Sequence, residues 1–113
     1  MTSTRSSKLG PDSRPVFIPE DVDDPSTRKA TGVIELPMHV RWSGPPKHYD
    51  LARAVDRARV YEQVLQEGTA DDVRYYIEVD TLLLMWDELV LPRRVRRAWA
   101  EWFRQNRNIE VAC

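Results

Sequence analysis

A chain of 113 residues has room for one domain and no more. Its 42% hydrophobic and 31% charged residues are ordinary for a globular protein, and a net charge of −1 excludes nucleic-acid binding driven by bulk electrostatics alone. The single cysteine, Cys113, excludes an internal disulfide and fits a reducing cytoplasm. The opening MTSTRSSKLGPDSRP lacks the apolar core of a secretory signal, and the longest apolar run, Leu82 to Trp86, is too short to span a bilayer, so no membrane association is expected.

Seven of the eight prolines precede Lys47, which confines regular helix to the C-terminal part. Residues 1–31 are polar and aperiodic and read as a disordered or partner-ordered tail, with Val16 to Ile18 and the acidic run Glu20 to Asp24 inside it. Residues 32–49 form an extended arm. Val33 to Leu36 suits a strand, but Pro37 bars it from the centre of a sheet, and Gly44-Pro45-Pro46 ends the segment. Such an arm, with scattered apolar anchors between prolines, lies on a surface, whether of this chain or of a partner.

Residues 50–108 read as a helical domain. Asp50 is the expected N-cap of a helix from Leu51 to about Glu67, with Leu51, Val55, Ala58, Tyr61 or Glu62, and Leu65 at helical spacing, Ala54, Val60 and Val64 widening the stripe, and Gly68 after its end. Thr69 and Asp72 have capping-box spacing. Ala70 to Leu89 is one bent helix or two short ones, with Asp80-Thr81 as the break, and Leu82 to Trp86 is apolar enough to be buried from several directions. Pro92 suits the first position of the last helix. That helix is basic at its start, with Arg93, Arg94, Arg96 and Arg97, and carries Val95, Trp99, Trp102 and Phe103 on one stripe, which favours a core role for the aromatics. Residues 109–113 are a short tail. The expected fold is mainly α, a small three- or four-helix domain with an extended, proline-rich N-terminal arm. An effective core of roughly 65 residues is marginal, and a partner subunit or self-association would complete it.

The chemistry-bearing residues are sparse. There is no Gly-rich phosphate loop and no GxSxG. His39 and His48 have no cysteine pair beside them, so no metal or cofactor site is expected. Asp23-Asp24, Asp71-Asp72 and Asp87-Glu88 are consecutive pairs, and on a helix neighbours diverge by about 100°, so these read as caps and solvated faces rather than a catalytic pair. The expectation is therefore a binding protein and not an enzyme. Charge is unevenly placed. Gly68 to Leu91 sets Arg74 against Asp71, Asp72, Glu78, Asp80, Asp87 and Glu88, and Pro92 to Cys113 sets six arginines against Glu101 and Glu110. This suits docking to a partner with its own charge pattern. Ile34, Leu36, Trp42, His48 and Tyr49 are the candidate partner-binding residues of the arm; Trp42 and Tyr49 either anchor an interface or fold back on the first helix. Arg93, Arg96 and Arg97 either meet a partner or phosphates, or pair with Asp80, Asp87 or Glu88.

From His39 to Phe103 the pattern RWSGPP, YDLA, RARVYEQVL, EGT, DDVR and LPRRVRRAWAEW resembles small bacterial antitoxins of the MenA kind, encoded beside nucleotidyltransferase toxins of the AbiEii type. The resemblance leaves the chain before Thr31 uncovered. It implies a protein that neutralises its cognate toxin by direct binding, where the toxin transfers nucleotides onto transfer RNA. It further implies that the acidic region meets the toxin's basic RNA-binding cleft while the arm wraps its flank. The alternative is a transcriptional regulator that holds operator DNA with the Arg-rich last helix, in keeping with autoregulation of the same operon.

Overall fold

The computed structural model describes residues 15–40 and 47–113. The described chain is mainly α, with helices α1 (Ala54–Glu67), α2 (Ala70–Tyr76), α3 (Val79–Met85) and α4 (Arg93–Arg107). Two short strands, β1 (Val33–Glu35) and β2 (His48–Asp50), pair antiparallel with Ile34 opposite Tyr49.

Pairing with β1 moves the start of α1 away from the expected site. The backbone of Asp50 belongs to β2, opposite Val33, and Leu51 N–H continues the contact to the Gly32 carbonyl. The Asp50 carboxylate takes the N–H of Ala52, while its own N–H goes to the Asp56 carboxylate. α1 therefore begins three residues late, with Arg53 as an N-cap that makes no side-chain cap bond. Its buried face is Val60, Tyr61, Val64 and Leu65; Val55, expected in the apolar stripe, is 70% exposed. Gly68 ends the helix as expected, though in extended rather than left-handed conformation. Glycine is needed for space: a Cβ there would sit 2.7 Å from the Val64 carbonyl oxygen and 3.0 Å from the Cβ of Asp72.

Thr69 and Asp72 form the expected capping box at the start of α2. Thr69→Ala removes one of the two reciprocal bonds and is expected to cost about 1 kcal/mol, a fall in Tm of about 5 °C in a thermal melt followed by circular dichroism. The segment 70–89 is two helices, and the break falls at Ile77-Glu78, not at Asp80-Thr81. Ile77 is extended and fully buried, and the Glu78 N–H, freed from the helical ladder, donates to the Tyr61 hydroxyl on α1 at 3.0 Å. A side chain from another element thus satisfies the interruption. In α3, Val79, Leu82 and Met85 face inward, whereas Leu84 is 84% exposed, so this run is not buried on every side as its composition suggested. A single 3-10 turn, Trp86–Glu88, follows, and the Trp86 indole N–H donates to the Ala112 carbonyl of the C-terminal tail.

Pro92 caps α4 from just outside the helix, and its carbonyl accepts from Val95 and Arg96. Val95, Trp99 and Phe103, one turn apart, are all fully buried, with Trp102 half-buried beside them. Trp86, Trp99, Trp102 and Phe103 form an aromatic cluster with centroids 5.4 to 5.9 Å apart, edge-to-face except for the tilted Trp99–Phe103 pair, the core role expected of this stripe. Asn108 adopts the left-handed conformation (φ 55°), and its N–H and that of Ile109 close the helix on the Phe103 carbonyl.

The arm and much of the tail belong to this core. Val22, Leu36 and Val40 are buried completely or nearly so. Lys29 Nζ donates to the carbonyls of Val22 and Arg74, at 2.9 and 2.6 Å, and Ala30 N–H donates to Tyr75 O. The expected disordered tail is thus corrected from residue 15 onward: its isolated apolar residues find an interior in the helices, and its polar turns close on themselves. The expected first 14 residues of tail, and Trp42 of the arm, lie outside the described residues. The expected marginal core is likewise enlarged, because the arm supplies part of it.

Candidate protein-binding surface

Folding the tail back onto the helices gathers carboxylates that are far apart in sequence. Arg74 of α2 donates through Nε to Asp21 at 2.8 Å and through Nη1 to Asp71 at 2.5 Å. Arg107 at the end of α4 donates to both oxygens of Asp23, at 2.6 and 3.0 Å, and to Asp80 at 2.8 Å. The result is a hollow of about 470 Å³ lined by Asp23, Asp24, Glu78 and Asp80 against only two cations, Lys29 and Arg107. The Arg107 guanidinium holds the Asp23 carboxyl below its ordinary value, and the N–H and hydroxyl of Ser26 do the same for Asp24. Burial pushes the Lys29 ammonium down, against the pull of Asp21, Glu78 and Asp23.

A second clasp joins the arm to α2: His39 Nε2 lies 2.6 Å from Asp72 Oδ2. Burial alone would raise the Asp72 carboxyl, but the Thr69 N–H, His39 and the Thr69 hydroxyl outweigh it and hold it below 3.8. For carboxyls lowered on folding, the stabilisation is present above the unfolded value of 3.8 and is lost as pH falls through the lower folded values. Melting temperature is therefore expected to fall on acidification below about pH 4, and Asp72→Asn is expected to flatten that fall. An unchanged slope in the variant would refute the assignment.

A second depression, a half-open groove of about 410 Å³, runs between the arm, α1 and α3. Leu51, Tyr76, Leu84 and Met85 give it apolar walls, and Arg57 places a guanidinium in it. Arg57 Nη1 donates to the Leu51 carbonyl at 2.9 Å, and Nε faces the Met85 sulfur at 3.4 Å.

The residues expected to bind a partner fall into separate groups. Leu36 and Tyr49 are buried in the chain's own core, which removes them as surface anchors; Tyr49 sits in β2 opposite Ile34, Leu36 directly follows β1, and the Tyr49 hydroxyl accepts from Gln63. Ile34 is half-buried against the same core. His48 is exposed, 3.8 Å from Glu35 across the sheet. Arg93 and Arg97 are exposed, one turn apart on α4. Arg96 is neither free nor paired with Asp80, Asp87 or Glu88. It donates to the carbonyls of Trp86 and Leu89 and stacks over the Trp86 ring, 4.9 Å from its centroid. Those carbonyls end a helix and need donors, and Asp80 is already taken by Arg107. Arg57 and Leu84 escaped the sequence reading. The one available signal was the run Leu82 to Met85, since a short helix cannot turn four consecutive apolar side chains inward.

Among the described residues no group of three or more potential ligands converges on a metal position, and no helix is long and apolar enough to cross a membrane. Comparison with family models, with curated proteins and with solved structures gives no match.

Proposed function

We propose that this chain is an antitoxin that neutralises a nucleotidyltransferase toxin by direct protein–protein binding. The observation that carries this reading is the acidic hollow, in which the N-terminal tail brings Asp23 and Asp24 beside Glu78 and Asp80. An enzyme that acts on transfer RNA must present a basic surface to the phosphate backbone. A protein that offers carboxylates on a folded scaffold competes for that surface and is steered to it. The resemblance from His39 to Phe103 supports the same partner. Chain and toxin would meet without chemistry: occupation of the RNA-binding surface is sufficient for neutralisation.

The test is co-expression with the nucleotidyltransferase encoded beside it. The expected result is co-purification of the two proteins and relief of toxin-induced growth arrest. Separate elution together with persisting arrest would overturn the proposal. Operator binding is the second reading, favoured by Arg93 and Arg97, which stay exposed on one face of α4. It requires affinity for the promoter fragment that falls steeply with salt and disappears in the Arg93→Ala/Arg97→Ala variant; fluorescence anisotropy checks both.

A further inference from the structure

We infer that the groove between the arm, α1 and α3 is a docking slot for a segment of the partner protein that carries an acidic side chain flanked by aliphatic residues. The inference rests on the reading of this chain as a protein-binding antitoxin, and concerns a groove that meets the acidic hollow only at Lys29 and Glu78.

The first argument is charge. A guanidinium has five N–H donors, and a thioether sulfur is a weak acceptor. Arg57 has one carbonyl and one sulfur as side-chain partners, and among the described residues no carboxylate lies within ion-pair distance of it. Glu78 lines the same groove with its carboxylate held by the Thr81 hydroxyl at 2.5 Å, and its charge is offset by Lys29, which also lines the groove and donates to the carbonyls of Val22 and Arg74. A planar cationic fork set among Leu51, Tyr76 and Met85 is built for a carboxylate arriving from outside. The second argument is the rim. Leu84 borders the groove and is 84% exposed on a helix whose other large residues pack inward or partly inward. A small-molecule site encloses most of its ligand. This groove is open and leaves a leucine standing in solvent, so the occupant must be large enough to cover Leu84 while its acid reaches Arg57. A chain segment of alternating aliphatic and acidic residues meets both demands.

The test uses the full-length protein, labelled with nitrogen-15, and two blocked peptides, acetyl-ALELA-amide and acetyl-ALQLA-amide. Saturable shifts are expected at the amides of Gly32, Thr81 and Leu84, with the glutamate peptide bound about tenfold more tightly than the glutamine peptide. Arg57→Gln is expected to erase that preference. Leu84→Ser, at a solvent-exposed position, is expected to weaken both peptides without moving the melting temperature. Absence of saturable shifts in the groove, equal affinity for the two peptides, or a preference that survives Arg57→Gln would overturn the inference. So would sedimentation showing a homodimer that Leu84→Ser dissociates, since a second copy would then be the occupant. Co-purification with the toxin alongside a silent groove would leave the antitoxin reading standing and remove this one; peptide binding without toxin binding would do the reverse.

Discussion

Trp99→Ala is expected to lower the melting temperature by about 15 °C. Trp99 is fully buried and touches Trp102 and Phe103 at centroid distances of 5.6 and 5.9 Å. Truncating a buried tryptophan costs about 3–5 kcal/mol, against total stabilities of roughly 5–15 kcal/mol for domains of this size. Trp99→Phe is expected to cost much less. Among the described residues the indole N–H of Trp99 has no acceptor, and a stranded buried donor is itself unfavourable by roughly 1–3 kcal/mol. Phenylalanine loses volume but removes the stranded donor. Thermal melts of the two variants check both statements; equal falls in Tm would refute the second, and a Trp99→Ala melt close to that of the native protein would refute the first.

The second large effect concerns association. Asp24→Lys with Glu78→Lys reverses two charges in the acidic hollow. It is expected to slow binding to the toxin about 10- to 100-fold at low salt, since steering by complementary fields acts on the association rate. The difference is expected to shrink as salt screens the exposed charges. Asp24→Asn with Glu78→Gln is the control, since it keeps hydrogen-bonding capacity and removes only charge. Stopped-flow association kinetics over a salt series measure the effect. A double-lysine variant that melts normally and associates at the native rate would exclude the hollow as the steering surface.

The elements governed by local periodicity were legible in the sequence. The stripe Val95, Trp99, Phe103 marks the buried face of α4 without reference to anything else in the chain, and the Thr69–Asp72 spacing identifies the cap of α2. What could not be read depends on distant partners. Asp50 looks like a cap until Val33 pairs with it. The break at Ile77 is set by a hydroxyl on α1, seventeen positions from the N–H it accepts. Val22, Leu36 and Val40 look like isolated apolar residues in a polar arm, and only the assembled helices give them an interior. The candidate surfaces were the least legible part. The acidic hollow joins the tail to α3 and α4, and the groove joins the junction of tail and arm to α1 and α3, so neither has a continuous motif. Leu36 and Tyr49 illustrate the opposite error: aromatic and aliphatic residues near prolines suit an interface and a core equally well, and strand pairing decided for the core.

Arg107 binds Asp23 across 84 positions of sequence. A latch with so long a span closes a large loop, so it can form only when the segment around Asp23 and the end of α4 are both in place. Loosening the last turn of α4 therefore also loosens the segment around Asp23 and the acidic hollow it lines.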